Sequence, residues 1–152
     1  MDVEHLPLNA AAGVASLTRR VTFSAAHRYR RPEWDDAKNE AAFGLCARPE
    51  YHGHTYVCDV TVSGPVDATT GMIVDLRFLD AALTNEVMAR FDHRNLNTEV
   101  PEFADGKQIP TGENLARLIS ARVQAALGAR AAVTQVTVAE DAALSATWRA
   151  AG

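Results

Sequence analysis

The sequence predicts an α+β fold, with an antiparallel sheet of four strands covered on one face by two helices. Four segments alternate apolar and polar residues with a period of two, which is typical of half-buried strands. Two segments between the second and third strands carry apolar residues at helical spacing. The resulting order, strand, strand, helix, helix, strand, strand (ββααββ), favours helices gathered on one side of the sheet.

The first strand follows an N-terminal segment that shows no sustained periodicity. We interpret residues 1–16 as a flexible extension and residues 17–152 as a single domain. From Arg20 the chain alternates, and the apolar positions are Val21, Phe23 and Ala25. His27 has the same parity, so it is expected on the apolar face near the end of this strand.

A long loop, residues 28–49, separates the first strand from the second. It contains two prolines and several charges, with a helical turn predicted around residues 35–43. Loops of this length in compact domains are usually functional. The second strand is predicted over residues 52–63 and places His52 and His54 on one parity.

Each of the two helices has a candidate cap and one apolar stripe. Asp75 can cap the first, whose stripe is Leu76, Leu79, Leu83, Val87 and Phe91. Thr111 can cap the second, Glu113 is favourable in its first turn, and Gly128 is expected to end it. The apolar stripe of the second helix is Leu115, Leu118, Ile119, Val123 and Leu127.

Composition bounds the class of protein. With 152 residues, 47% hydrophobic and 22% charged, the chain can form one globular domain with a real core. A net charge of -4 argues against nucleic-acid or anionic-membrane partners held by bulk electrostatics. No apolar run approaches the roughly 20 residues that span a bilayer, and the N-terminus lacks signal-peptide features, so we expect a cytoplasmic protein.

Three histidines are candidate metal ligands. His52 and His54 are two residues apart on a strand, so both leave the same face, and His27 has the matching parity on the first strand. Two histidines alone would equally fit a polar strand face. Three neutral nitrogen donors suit Zn²⁺ and leave a fourth position open, although iron(II) or another transition metal fits the same ligands.

The two cysteines have different expected roles. Cys46 lies in the long loop six residues before His52, and is either a small buried residue or a base whose thiolate is favoured by a nearby cation and Arg48. Cys58 continues the parity of the second strand, far along it, and is expected in the core. Two cysteines give no disulfide framework.

Two further groups could carry chemistry. Asp92 and His93 follow the first helix, where the imidazole could transfer protons or simply interact with the helix dipole. The last strands are predicted at residues 132–140 and 144–148. Glu140 ends the first of these on an apolar parity, so it must either meet a donor partner or point to solvent.

Six motifs occur in order along the chain: FSAAH, NEAAFGLCARPEYHGHTY, GMIVDL, FDHRNLN, PTGENLA and VTVAED. Through these motifs the chain resembles the 6-pyruvoyl-tetrahydropterin synthase and 6-carboxytetrahydropterin synthase family, in a match that runs from about Val21 to Trp148. The resemblance implies zinc ligands at His27, His52 and His54, a catalytic cysteine at Cys46 and a catalytic pair at Asp92 and His93. It also implies substrate binding by Glu140, as the pterin anchor, and by Thr111 and Glu113.

The resemblance further implies the tunnelling fold, or T-fold. Three subunits would close their sheets into a barrel, and two trimers would stack as a homohexamer with active sites at subunit interfaces. The implied reaction converts 7,8-dihydroneopterin triphosphate to 6-pyruvoyl-tetrahydropterin with loss of triphosphate. It would use one Zn²⁺ per chain, with Mg²⁺ accompanying the triphosphate.

Two alternatives remain at this point. A 6-carboxy-5,6,7,8-tetrahydropterin synthase of queuosine biosynthesis would use the same fold and substrate. The five residues between Cys46 and His52 favour the pyruvoyl enzyme, because the queuosine-type enzymes often have three. A non-catalytic metal- or pterin-binding module would keep the three histidines but would not need Cys46, Asp92, His93 or Glu140.

Overall fold

The computed structural model describes residues 13–152, which form one five-stranded sheet packed against helices. The strands are β1 (Ala15–His27), β2 (His52–Gly64), β3 (Arg94–Asn95), β4 (Ala132–Ala139) and β5 (Ser145–Arg149). The helices are α1 (Asp36–Phe43), α2 (Leu76–Leu83), α3 (Ala89–Phe91), α4 (Leu96–Glu99) and α5 (Gly112–Leu127). Most of the predicted extension, residues 1–12, lies outside the described part, and β1 already begins at Ala15.

The sheet order is β3-β1-β2-β4-β5. The four predicted strands are present, and β1, β2, β4 and β5 pair antiparallel with their neighbours. The expectation of a purely antiparallel, four-stranded sheet was wrong, because β3 pairs parallel with β1 through two residue pairs. A strand of two residues is too short to leave any periodicity in the sequence.

The two predicted helices are also more divided than expected. Asp75 caps α2 as predicted, but a π-helical turn at Thr84–Met88 separates α2 from α3. Leu79, Leu83, Val87 and Phe91 are buried, whereas Leu76 is 43% exposed. Thr111 caps α5 by accepting a hydrogen bond from the Asn114 N–H at 3.2 Å, and Gly128 ends it with a positive φ of 58°.

The core lies between the helices and one face of the sheet. Its largest buried members are Phe23, Tyr56, Phe91, Phe103, Leu79, Leu83, Leu115 and Ile119. The other face carries hydroxyl pairs across neighbouring strands, such as Thr18 with Thr61 and Thr137 with Thr147. The helices therefore cover one face only, as the alternation predicted.

No helix among residues 13–152 is both long enough and apolar enough to cross a membrane.

Candidate metal centre and active site

The register of β1 and β2 brings the three histidines together. His27 pairs with His52, and Ala25 pairs with His54, so all three imidazoles lie on the core-side face at one end of the sheet. The Nε2 atoms of His27 and His52 are 3.0 Å apart, and one ligand nitrogen from each histidine lies within 4.8 Å of the others. This is a candidate metal centre built on two paired strands.

His27 is oriented by groups behind it. Its ring is fully buried, and Nδ1 lies 3.1 Å from the Pro110 carbonyl and 2.9 Å from the Tyr56 hydroxyl. Because a carbonyl can only accept, Nδ1 carries the proton and Nε2 keeps its lone pair for the cluster. Such a hydrogen bond on the far nitrogen is the usual way in which a metal-ligating histidine is held.

The surroundings of His27 and His52 favour their neutral forms. Burial, and then the charges of His52 and His54, lower the pKa of His27 from 6.5 to about 4. The pKa of His52 is lowered as well, mainly by burial. Neutral imidazole is the form that binds metal, so these two shifts favour metal binding by His27 and His52.

His54 gives an independent test of whether a metal fits. Its Nε2 is buried and has no hydrogen-bond partner among the described residues. The Glu140 carboxylate oxygen Oε2 is 3.7 Å from this nitrogen, which is beyond hydrogen-bond distance. An unpaired buried nitrogen costs free energy that coordination would recover. Three nitrogen donors, with no fourth protein ligand in the cluster among residues 13–152, match a catalytic rather than a structural metal site.

Cys46 lies on a 3₁₀ turn, Gly44–Ala47, that follows α1. Tyr29 and Arg28, which follow β1, both bond to this turn. The Tyr29 N–H donates to the Cys46 carbonyl at 2.7 Å, and the Arg28 guanidinium donates to the Ala47 carbonyl at 2.8 Å. Burial, and then the charge of Glu140, raise the pKa of the Cys46 thiol. Arg48 is not among the groups that shift this pKa, so its expected help is not seen, and the thiolate needs additional positive charge in the site.

Cys58 is fully buried in the core, as expected. Burial raises the pKa of its thiol to about 12. It therefore acts as a small apolar residue.

Glu140 follows β4 directly and lies beside the metal cluster. Its side chain is 10% exposed, and its Oε1 accepts a hydrogen bond from the Tyr29 hydroxyl at 3.1 Å. Of the two outcomes that the sequence left open, Glu140 meets a donor partner. Burial, and then the charge of Glu140, raise the pKa of the Tyr29 hydroxyl, so it remains a donor at neutral pH.

The expected substrate-binding residues surround one small cavity of about 220 Å³. Tyr29, Thr111, Glu113 and Glu140 all line it. The Thr111 hydroxyl is already used as the cap of α5, and Glu113 is exposed at the cavity rim. The cavity therefore offers one buried carboxylate, oriented by a phenol, as its main polar group.

Asp92 and His93 lie beside β1 and do not line the Glu140 cavity, although His93 lines a separate cavity together with His54. Asp92 Oδ1 accepts from the Ser24 N–H at 2.9 Å and lies 3.0 Å from His93 Nδ1. These contacts, the Ser24 hydrogen bond first, lower the pKa of Asp92. The His93 side chain is 83% exposed, and within residues 13–152 neither residue forms a hydrogen bond or ion pair with Cys46, Glu140 or the three histidines.

Three contributors to the site were not predicted as site groups: Tyr56, Tyr29 and the Pro110 carbonyl. Tyr56 has the parity of His52 and His54, so its place beside His27 followed from the alternation. Tyr29 lies in the long loop, where no periodicity indicates which way a side chain points. The Pro110 carbonyl is a backbone group and leaves no signal in residue types.

Comparison with known proteins places these features in a family. A family model described as 6-pyruvoyl tetrahydropterin synthase matches residues 16–151. A 6-pyruvoyl tetrahydrobiopterin synthase from Drosophila melanogaster is 46% identical over 103 residues, which are 68% of this chain and 60% of that protein. The Homo sapiens protein of the same name is 40% identical over 113 residues, 74% of this chain and 77% of that protein.

Solved structures agree with the sequence comparison. The structure of Caenorhabditis elegans 6-pyruvoyl tetrahydropterin synthase matches with a TM-score of 0.85 and 32% identity, and the match covers 91% of this chain and 97% of that one. The match to the Drosophila protein spans less than two thirds of its length, whereas the family model spans nearly all of this chain. This chain belongs to the 6-pyruvoyl tetrahydropterin synthase family, whose members bind a metal.

Proposed function

We propose that this chain is a zinc-dependent 6-pyruvoyl-tetrahydropterin synthase, which converts 7,8-dihydroneopterin triphosphate to 6-pyruvoyl-tetrahydropterin and releases triphosphate. The observation that carries the proposal is the cluster of three histidine nitrogens within 4.8 Å of one another, with Glu140 beside it. Family membership supplies the reaction class, a carbon–oxygen lyase acting on a phosphorylated pterin.

His27, His52 and His54 would hold the metal. Zinc bound there would act as a Lewis acid on the side-chain hydroxyls of the substrate, which makes the neighbouring C–H more acidic. The chain's own contribution is geometry, because His27 is fixed by Pro110 and Tyr56, and both strands are paired along their whole length.

Glu140 anchors the pterin ring in this proposal. Its carboxylate can accept two hydrogen bonds, from the 2-amino group and from a ring N–H, which fixes the orientation of the ring. The cavity beside it also contains Thr111 and Glu113, which would contact the edge of the ring. The substrate side chain would then extend toward the three histidines.

Cys46 removes the proton from the substrate side chain. Its thiol is only partly buried, and its turn is fixed by Tyr29 and Arg28, so the sulfur has a defined place. Since the protein alone raises the pKa of this thiol, its ionisation depends on positive charge in the loaded site. This ties proton abstraction to the presence of bound metal.

Asp92 and His93 move the second proton. The His93 side chain is 83% exposed, and within residues 13–152 its bonds are to Asp92 and, through the main-chain N–H, to Ser24. We therefore infer that it serves the site of an adjacent subunit. A homohexamer built from two trimers would close the sheet edges and bring this pair to Cys46 of the neighbouring chain.

Product analysis tests the proposal. The zinc-loaded protein is incubated with 7,8-dihydroneopterin triphosphate and Mg²⁺, which accompanies the triphosphate, and the pterin is identified by mass spectrometry. We expect 6-pyruvoyl-tetrahydropterin and free triphosphate. Formation of 6-carboxy-tetrahydropterin with acetaldehyde would replace the proposal by the queuosine-type reaction. Failure to release triphosphate at any pH would indicate a binding module.

A further inference from the structure

Tyr29 connects two parts of the site that are far apart in the sequence. Its main-chain N–H donates to the Cys46 carbonyl at 2.7 Å, and its hydroxyl donates to Glu140 Oε1 at 3.1 Å. One residue therefore contacts the turn that carries the thiol through its backbone, and the buried carboxylate through its side chain.

The Tyr29 ring is held in place by its neighbours. It packs edge-on against His27, with ring centroids 4.9 Å apart, and against Phe43, with centroids 6.0 Å apart. Both arrangements are favourable for aromatic rings. Because the backbone is bonded to Cys46 and the ring is packed between two others, the hydroxyl oxygen has little freedom to move.

This fixed hydroxyl determines how Glu140 is presented. An ionised carboxylate has about four acceptor positions, and Tyr29 occupies one on Oε1. Within residues 13–152, Tyr29 makes the single hydrogen bond to the Glu140 side chain, since His54 Nε2 is 3.7 Å from Oε2. The remaining acceptor positions are available to a ligand in the cavity that both residues line.

We propose that Tyr29 is a positioning residue that orients the Glu140 carboxylate for the pterin ring. This inference rests on the proposed function of the site. The hydroxyl acts through Glu140 on the edge of the pterin that carries the 2-amino group and a ring N–H. The bonds of that edge stay the same, while the reaction changes the other ring and the side chain. Loss of the hydroxyl should therefore raise KM and leave kcat almost unchanged.

The test compares Tyr29→Phe with Tyr51→Phe in the zinc-loaded full chain. Tyr29→Phe removes the hydroxyl but keeps the ring packing and the N–H bond to Cys46. Tyr51→Phe is the control, because its hydroxyl forms no hydrogen bond in the described part of the chain. For Tyr29→Phe we expect the Kd of biopterin and the KM of the triphosphate substrate to rise about threefold to tenfold, the range for one hydrogen bond. The zinc content, kcat and the rate of Cys46 alkylation should match the control.

A double-mutant cycle separates positioning from general stability. In a Glu140→Ala background, Tyr29→Phe should cause no further loss of biopterin affinity, because the hydroxyl has no carboxylate to orient. An unchanged Kd in Tyr29→Phe, or an equal loss in both backgrounds, would overturn the role of Tyr29 while the proposed function stands. A wild-type chain that binds no biopterin would overturn both.

Discussion

Two predicted catalytic features differ in how the fold holds them: the cluster of His27, His52 and His54, and the Asp92–His93 pair. The cluster lies on two fully paired strands, with His27 buried and fixed from behind. The pair lies beside β1, and its imidazole is 83% exposed. The difference teaches that one chain brings its three candidate metal ligands together by itself, whereas the imidazole of the predicted proton-transfer pair is exposed.

Loss of a cluster ligand should have the largest effect. His52→Ala removes one of three donors, so purified protein should retain less than about one tenth of the wild-type zinc, since a two-histidine site binds far more weakly. Metal analysis after gel filtration measures this. His93→Ala is the matched control and should retain one zinc per chain. Equal zinc in both variants would contradict the assignment of the cluster.

Cys46 should be needed for turnover and not for metal binding. Cys46→Ala should keep its zinc but lose about 10²-fold to 10⁴-fold in kcat, the usual contribution of a positioned base. Steady-state release of triphosphate gives the rate. Cys58→Ala is the control, since Cys58 lies in the core and should cost stability but little activity. Full activity of Cys46→Ala would mean that Cys46 only packs against its neighbours and is not the base.

The buried cluster should also make the metal-free protein sensitive to acid. The pKa of His27 is about 4 in the folded protein and 6.5 when unperturbed, so the unfolded state binds protons first as the pH falls. This stabilisation is fully present well above pH 6.5 and is lost as the pH falls through 4. At 1.36 kcal/mol per pKa unit, the difference between 6.5 and about 4 corresponds to roughly 3 kcal/mol.

Urea unfolding in the presence of a chelator measures this dependence. His27→Gln should flatten the curve between pH 6.5 and pH 4, because it removes the buried imidazole. If the free energy of unfolding of the wild-type protein did not change between pH 6.5 and pH 4, folding would not lower the pKa of His27, and this prediction would be wrong.

Subunit mixing examines the outward-facing pair. Cys46→Ala and His93→Ala should each be nearly inactive when assayed alone. An equal mixture of the two, unfolded and refolded together, should regain about a quarter of the wild-type activity. The reason is that about a quarter of the subunit interfaces would then combine an intact Cys46 with an intact His93. The two variants assayed without mixing are the control. No recovery in verified mixed oligomers would place Cys46 and His93 in the same subunit's site.

The sequence predicted best those parts of the fold that leave a regular pattern of apolar and polar residues. Alternation over β1 and β2 placed His27, His52 and His54 on one face, and the antiparallel register then brought them together. Caps at Asp75 and Thr111 were recognisable because their side chains bond to nearby main-chain groups.

Features without a period could not be predicted. The two residues of β3 and the π-helical turn at 84–88 are too short to alter the pattern of apolar residues. The contacts of Tyr29 with Cys46 and Glu140 depend on how a loop closes in three dimensions. The sequence also could not indicate that, within residues 13–152, Asp92 and His93 would form no hydrogen bond or ion pair with Cys46.

The coordination of the metal is the most direct test of this account, and X-ray absorption spectroscopy of the zinc-loaded wild-type protein measures it. We expect three nitrogen ligands at about 2.0–2.1 Å and one exchangeable oxygen ligand, with one zinc per chain. A sulfur ligand at about 2.3 Å would make Cys46 part of a closed structural site and contradict its role as a base. A site with fewer than three nitrogen ligands would contradict the histidine cluster itself.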